Sequence, residues 1–247
     1  MQRIIEHGLI DSTNERAFAA LAAGEARDGD VHTASGQSAG RGRLQRPWES
    51  AEGEGLYLSY VHLPKSPGPL PTGMTMGAGL ALLDELCALG LPDARLDWPN
   101  DLVLGEAKLA GILIESRGFD PRRPHFVVGI GVNVLQRRFS TELTDERQVT
   151  SLALAGVECS PKALARALQP RLGARLAQAA QDPSGLARDY LAATGLAGAA
   201  VEVRLSGPSK LGILRGIDLE RGLLLETNGK PLRIQLAHVH GVDRTSL

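Results

Sequence analysis

Apolar and polar positions divide the 247 residues into helical and strand-like stretches. Asp11-Ser12-Thr13-Asn14-Glu15 precedes an alanine-rich run to Ala23; Ser12 and Glu15 have the spacing of a capping box, and Gly24 stops the helix. A polar, glycine-rich stretch from Ser35 to Gly55 shows neither period and is long enough to be a lid or binding loop. Leu56 to Leu63 reads as a strand, closed by a proline-rich turn from Pro64 to Pro71. Thr72 is placed to cap a helix that ends near Cys87 or Leu89, before Gly90, and whose apolar content predicts burial. Arg95 to Trp98, Leu102 to Leu104, Lys108 to Ser116 and His125 to Val134 predict a meander of short strands, joined by Pro-Asn, Gly-Glu and Gly-Phe-Asp-Pro turns. Pro161 to Gln181 is helical again, with Pro170 expected to kink or split it. A further helix covers Ser184 to Ala193.

The pattern changes at Gly195. Val201 to Leu205, Ser209 to Asp218, Gly222 to Thr227 and Pro231 to Gln235 are short strands between glycine turns, the spacing of a small β-barrel. The expectation is an α+β protein in two domains: residues 1–194 with a mixed sheet flanked by helices, then residues 195–247 as a small all-β domain.

Composition removes several function classes. Lys plus Arg is 27 against 28 for Asp plus Glu, a net charge of −1, so the basic excess typical of a duplex-binding protein is missing. No run approaches the roughly 18 apolar residues of a membrane span, and the N-terminus lacks the pattern of a secretory signal. Two cysteines make no disulfide framework. The expected setting is the cytoplasm, with neither nucleic acid nor membrane as partner. GxSxG, HExxH, P-loop and complete GxGxxG patterns are all missing.

The basic residues gather at Arg41, Arg43 and Arg46 in the polar loop. In Gly40-Arg41-Gly42-Arg43 an extended chain would aim both arginines to one side, where they fork onto carboxylate or phosphate oxygens; the bland reading is a solvated loop tip. Trp48 downstream offers a stacking face. Trp98-Pro99-Asn100-Asp101 reads blandly as a β-turn, although a turn does not require the Trp beside it, and Lys108 opens the next strand as either a solvent residue or a neutraliser of anionic charge. Gly111, Gly129 and Gly131 interrupt apolar strands, the mark of a bulge or of a group lying on the backbone. Asn133 is a buried-looking amide that needs a partner, structural or functional. His238 and His240 read as surface residues on one strand face.

In order and spacing, Asp11 to Asn14, Gln37 to Arg43, Trp48, Trp98 to Leu102, Lys108 to Leu113 and Gly129 to Asn133 resemble the biotin protein ligases. These enzymes activate biotin with ATP and pass it to a carrier-protein lysine. The resemblance implies the mixed sheet of class II aminoacyl-tRNA synthetases and biotin ligases, followed by an SH3-like barrel, in the monofunctional type without a helix-turn-helix domain. It assigns biotin to Ser12, Thr13, Asn14, Gln37, Gly42 and the backbone near Gly111, with Arg41, Arg43 and Lys108 closing over the carboxylate and reacting phosphate. Trp48, Asn100, Asp101 and Asn133 take the nucleotide, with Arg43 and Lys108 shared and Asp101 facing Mg²⁺. The implied substrates are biotin and ATP with Mg²⁺; the implied partners are a biotin carboxyl carrier protein of acetyl-CoA carboxylase and a second copy in a homodimer.

Two positions depart from the family. Asp97 stands where lysine usually precedes Trp-Pro-Asn-Asp, a charge reversal about 6 Å from the reacting anions that costs a few kcal/mol at an effective dielectric near 20; Arg95, two residues back on the same face, is its expected partner. Gln45 stands where the arginine loop usually has glycine, which costs about 1 kcal/mol if that backbone takes φ > 0. The rival readings are a lipoyl or octanoyl ligase of the same superfamily, a non-catalytic biotin-binding protein, and, against the charge, a DNA-binding repressor.

Overall fold

The computed structural model describes residues 3–64, 71–118, 120 and 122–246. Most of the expected Pro64 to Pro71 turn, and Phe119 and Pro121 of the Gly-Phe-Asp-Pro turn, lie outside these residues.

Seven strands, β1 (Ile4–Ile10), β2 (Val31–Gln37), β3 (Gly55–His62), β4 (Ala94–Asp97), β5 (Asp101–Leu104), β6 (Ala107–Glu115) and β7 (Phe126–Asn133), form one sheet in the order β1-β2-β3-β7-β6-β5-β4. Only β1 and β2 run parallel, because helix α1 (Thr13–Ala22) carries the chain back between them. The β4-to-β7 meander stands as expected, while β1 and β2 escaped the sequence pattern. IIEHGLI and VHTASGQ are interrupted by polar residues. Across this pair His7 and His32 stack with ring centroids 5.4 Å apart, and burial pushes His32 down to about 4.

Alternation gives the sheet two unlike faces. Leu56, Leu58, Tyr60, Leu102, Ala110, Ile112, Ile130 and Val132 point one way and merge into the main core with α2 (Pro71–Ala88), α4 (Pro161–Gln181) and α5 (Pro183–Thr194). On the other face, register lines up Asp97, Asp101, Gly111, Gly131 and Tyr57 in one row across β4, β5, β6, β7 and β3. Helix α1 covers part of this face through Ala17 and Phe18, packed with Val61 and Val127. The rest stays open, and there the chemistry collects.

Three local expectations change. Ser12 is the N-cap of α1 but makes no side-chain cap bond, and the other half of the capping box is missing too: Glu15 turns to Arg41 and Arg117, while the Ser12 N–H donates to Asp11 Oδ1. Helix α2 begins at Pro71, so Thr72 lies inside it rather than capping it. Pro170 does not split α4, which runs unbroken from Pro161 to Gln181. A short helix, α3 (Thr141–Glu146), had no sequence signal and is capped by Ser140.

The second sheet comprises β8 (Ala200–Leu205), β9 (Lys210–Asp218), β10 (Gly222–Thr227), β11 (Lys230–Ile234) and β12 (Val239–Arg244), all antiparallel in the order β11-β10-β9-β8-β12. Its edges β11 and β12 are not paired with each other, so the expected barrel is an open one. Trp98 ties the two sheets together: its indole donates to the Val239 carbonyl at 3.3 Å and meets Tyr190 of α5 edge-on.

Candidate active site

The open face of the large sheet forms a cavity of about 580 Å³. It is lined by Ser12, Thr13, Asn14, Gln37, Arg41, Gly42, Arg43, Trp48, Asn100, Asp101, Lys108, Gly111 and Asn133, which are all the residues singled out from the sequence for binding or chemistry.

At one end the polar groups bind each other. Gln37 Oε1 accepts from the Thr13 backbone N–H at 2.8 Å, and its Nε2 donates to Ser50 Oγ at 3.0 Å. Ser59, on β3 and fully buried, sets its hydroxyl between Thr13 Oγ1 and Asn14 Oδ1. Asn14 Nδ2 donates to Glu115 Oε2 at 2.6 Å. A side chain at Gly129 would place Cβ 2.7 Å from Asn14 Oδ1, which explains that glycine. Ser59 and Glu115 were missed in the sequence; a lone serine inside Leu56 to Leu63 was the available signal.

Trp48 lies flat on the middle of the sheet. A Cβ at Gly131 would fall 2.4 Å from the indole Cε2, and one at Gly111 would fall 3.0 Å from Cζ3. The glycines read from the sequence as a bed for a ligand thus hold a side chain, and the backbone at Gly111 is covered by Trp48. Lys108 Nζ stands 5.3 Å from the ring centroid, within cation–π range.

The arginine loop is a tight hairpin rather than an extended run. Trp48 N–H donates to Gly40 O, Gly42 N–H to Arg46 O and Arg46 N–H to Arg43 O. Leu44 and Gln45 form its tip with φ of +56° and +62°, the pair of positive values that a primed two-residue turn requires. The position of Gln45 therefore does take the left-handed conformation. Arg41 and Arg43 diverge to different partners: Arg41 Nη2 lies 2.5 Å from Glu15 Oε1 and 4.0 Å from Glu115, while Arg43 Nη1 donates to Asn100 Oδ1 at 3.0 Å. Arg117 grips the same Glu15 carboxylate through both of its oxygens and, with Arg41, holds it down to about 2 against partial burial.

The other end is ionic. Asn100 Nδ2 donates to Ile112 O, which fixes the turn after the cis Trp98–Pro99 peptide. Asp101 Oδ2 accepts from Arg147 at 2.7 Å. Its Oδ1 lies 2.8 Å from Lys108 Nζ, close enough for an ion pair but not aligned as a hydrogen bond. Burial lowers the Lys108 pKa against the pull of Asp101. Asp97 is not paired with Arg95, which reaches Glu106 and the Gly105 carbonyl; its cation is Arg147, at 3.9 Å. Burial and then Asp101 raise the Asp97 carboxyl. Asn133 donates to the Thr150 carbonyl at 2.9 Å, a structural bond, while still lining the cavity. His240 of β12 and Arg204 of β8 reach the rim, and His238 sits in the turn before β12.

No three His, Cys, Asp or Glu side chains converge among the described residues. With both Asp101 oxygens facing cations, these residues do not form a resident Mg²⁺ site. No helix of the described residues is long and apolar enough to cross a membrane.

The model of the biotin/lipoate A/B protein ligase family matches residues 8–133, which span the large sheet from β1 to β7. The bifunctional ligase/repressor BirA of Salmonella typhimurium is 36% identical over 226 residues, covering 90% of this chain and 68% of that protein. The biotin–[acetyl-CoA-carboxylase] ligase of Mycobacterium tuberculosis is 34% identical over 92% of this chain and 85% of its own length. The structure of biotin protein ligase from Aquifex aeolicus in complex with biotin and ATP superposes with a TM-score of 0.81 at 26% identity, over 99% of this chain and 100% of that one. The chain belongs to the biotin/lipoate A/B protein ligase family.

Proposed function

We propose that the protein is an ATP-dependent biotin protein ligase that biotinylates a lysine of a carboxylase's biotin carboxyl carrier protein. The observation that carries this reading is the cavity itself, where a neutral hydrogen-bonding end and a cationic end meet over a glycine-floored sheet. Thr13, Asn14, Gln37 and Ser12 offer the amides and hydroxyls that suit a ureido ring. Arg41, Arg43 and Lys108 stand where its carboxylate would meet the nucleotide.

In the first step a biotin carboxylate oxygen attacks the α-phosphorus of ATP and pyrophosphate leaves. Two anions are brought together, so the protein's contribution is positioning and positive charge. Lys108 and Arg43 supply that charge, and Arg41 reaches the carboxylate by exchanging Glu15 for it. Trp48 offers its face to adenine. Any Mg²⁺ would come as part of the Mg·ATP substrate and would offset some of its phosphate charge, leaving the rest to Lys108 and Arg43. In the second step the neutral amine of the carrier lysine attacks the acyl carbon and AMP leaves. The hairpin of residues 40–48 shields the mixed anhydride from water. We further propose that residues 1–194 form the catalytic domain and 195–247 a second one, and that the protein acts in the cytoplasm as a homodimer without binding nucleic acid.

The test is biotin-dependent pyrophosphate release from Mg·ATP, with and without a carrier domain. Release by the wild type, transfer of label to the carrier and a loss of at least 100-fold in Arg43→Ala are expected. Biotin binding without release would make the protein a binding protein, and release with lipoate or octanoate in place of biotin would move it to the lipoyl branch of the family.

A further inference from the structure

Four charged side chains meet at the ionic end of the cavity: Asp97, Asp101, Lys108 and Arg147. Arg147 follows α3, in a segment that sequence reasoning left unread. Its place is set by main-chain bonds to the very residue it influences: Lys108 N–H donates to Gln148 O, and Thr150 N–H donates to Lys108 O, both at 2.9 Å. Asn133 then holds the Thr150 carbonyl. The Arg147 guanidinium is thereby fixed beside Asp101 and within reach of Asp97.

The bonding within the cluster is unequal. Arg147 makes an aligned hydrogen bond to Asp101 Oδ2, whereas Lys108 touches Oδ1 out of alignment. We infer that Arg147 is a positioning residue for the activation step: it takes up the charge of Asp97 and Asp101, so that the Lys108 ammonium stays directed into the cavity. This rests on the ligase reading and deepens it. It also accounts for Asp97. The negative charge at this position is offset by a guanidinium brought in from another part of the chain. Without Arg147, two carboxylates would share one ammonium and face an incoming triphosphate.

Pyrophosphate release by the full-length protein tests this with Arg147→Gln, Arg147→Lys, Asp97→Asn and the Arg147→Gln/Asp97→Asn pair, each checked by thermal melting. Arg147→Gln should lower kcat about 10-fold or more with little change in KM for biotin. Asp97→Asn should restore the pair to within about 3-fold of wild type, because it removes the carboxylate left uncompensated. Arg147→Lys, which keeps the charge, should stay within about 5-fold. A purely structural tether predicts no rescue by Asp97→Asn, and that result would overturn the inference, as would an Arg147→Gln protein within 2-fold of wild type. Should Arg147→Gln fail to fold, a 10-fold loss in a folded Arg147→Lys protein would overturn it as well. An inactive wild type would instead sink the ligase reading itself.

Discussion

At the Thr13 end of the cavity, polar groups bind one another largely as neutral donors and acceptors, whereas around Asp101 nearly every contact joins full charges. Ser59, Thr13, Asn14 and Gln37 form one linked set that continues to Ser50 and Glu115, with Ser59 fully buried and Thr13 and Asn14 nearly so. Such a network fixes geometry before a ligand arrives, because each missing partner leaves a desolvated group behind. Arg41, Arg43, Lys108 and Arg147 are instead held by carboxylates and an amide, which an anion entering under the proposed function would displace or join. One end is bonded before any ligand arrives and the other is a cluster of opposed charges, and Trp48 lies on the glycines between them.

The seam is where both ends break together. Gly131→Val would drive Cβ into the indole of Trp48 and lift it from the sheet. Overpacking of this kind costs about 1–3 kcal/mol, and a reacting group moved by about 1 Å loses about 100-fold in rate. The expected outcome is a fall of that order in kcat/KM for ATP, with a red shift in tryptophan emission as Trp48 becomes wetter. An unchanged emission spectrum with normal kinetics would show that Trp48 does not rest on Gly131 in solution.

The two ends also differ in how far the sequence revealed them. Asn100, Asp101 and Lys108 stand in short recognisable runs, and Asp101 falls in one register row with Gly111 and Gly131, so the ionic end was half readable. Its other half, Arg147, comes from an aperiodic stretch, and only the pairing of Lys108 with the 148–150 segment brings it near. Glu15 was visible but assigned to a cap; its real partners, Arg41 and Arg117, lie 26 and 102 residues away. The β1–β2 end of the large sheet was the weakest point, since these strands owe their pairing to α1 and to the neighbouring strand rather than to alternation. In the apolar face, where burial dictates residue type, the expected helices and strands agree with the fold to within a residue or two.

Ser59→Ala isolates the neutral end. Removing this hydroxyl leaves Asn14 Oδ1 and Thr13 Oγ1 each short of a partner in a dry site, at a cost of about 1–3 kcal/mol. The melting temperature should fall, and KM for biotin should rise about tenfold while KM for ATP holds. Steady-state kinetics with each substrate varied in turn decides the matter. An equal rise in both constants would mean that the two ends are one coupled unit.

The smallest effect belongs to the hairpin tip, which belongs to neither end yet carries Arg41 and Arg43 over both. Gln45 sits at φ +62° with Leu44 beside it at +56°, and an L side chain there costs about 1 kcal/mol that glycine does not. Gln45→Gly should therefore favour the closed hairpin several-fold without moving the global melting temperature, because Leu44 and Gln45 pack against nothing in the core. Trypsin reports the difference directly. Arg43 is exposed and followed by Leu44, so cleavage after it requires only that the hairpin open, and its rate should drop several-fold in the variant. If cleavage is as fast in Gln45→Gly as in the wild type, the closed hairpin is not the state that the free protein populates. The charged end would then be assembled by its ligands, while the neutral end waits preformed.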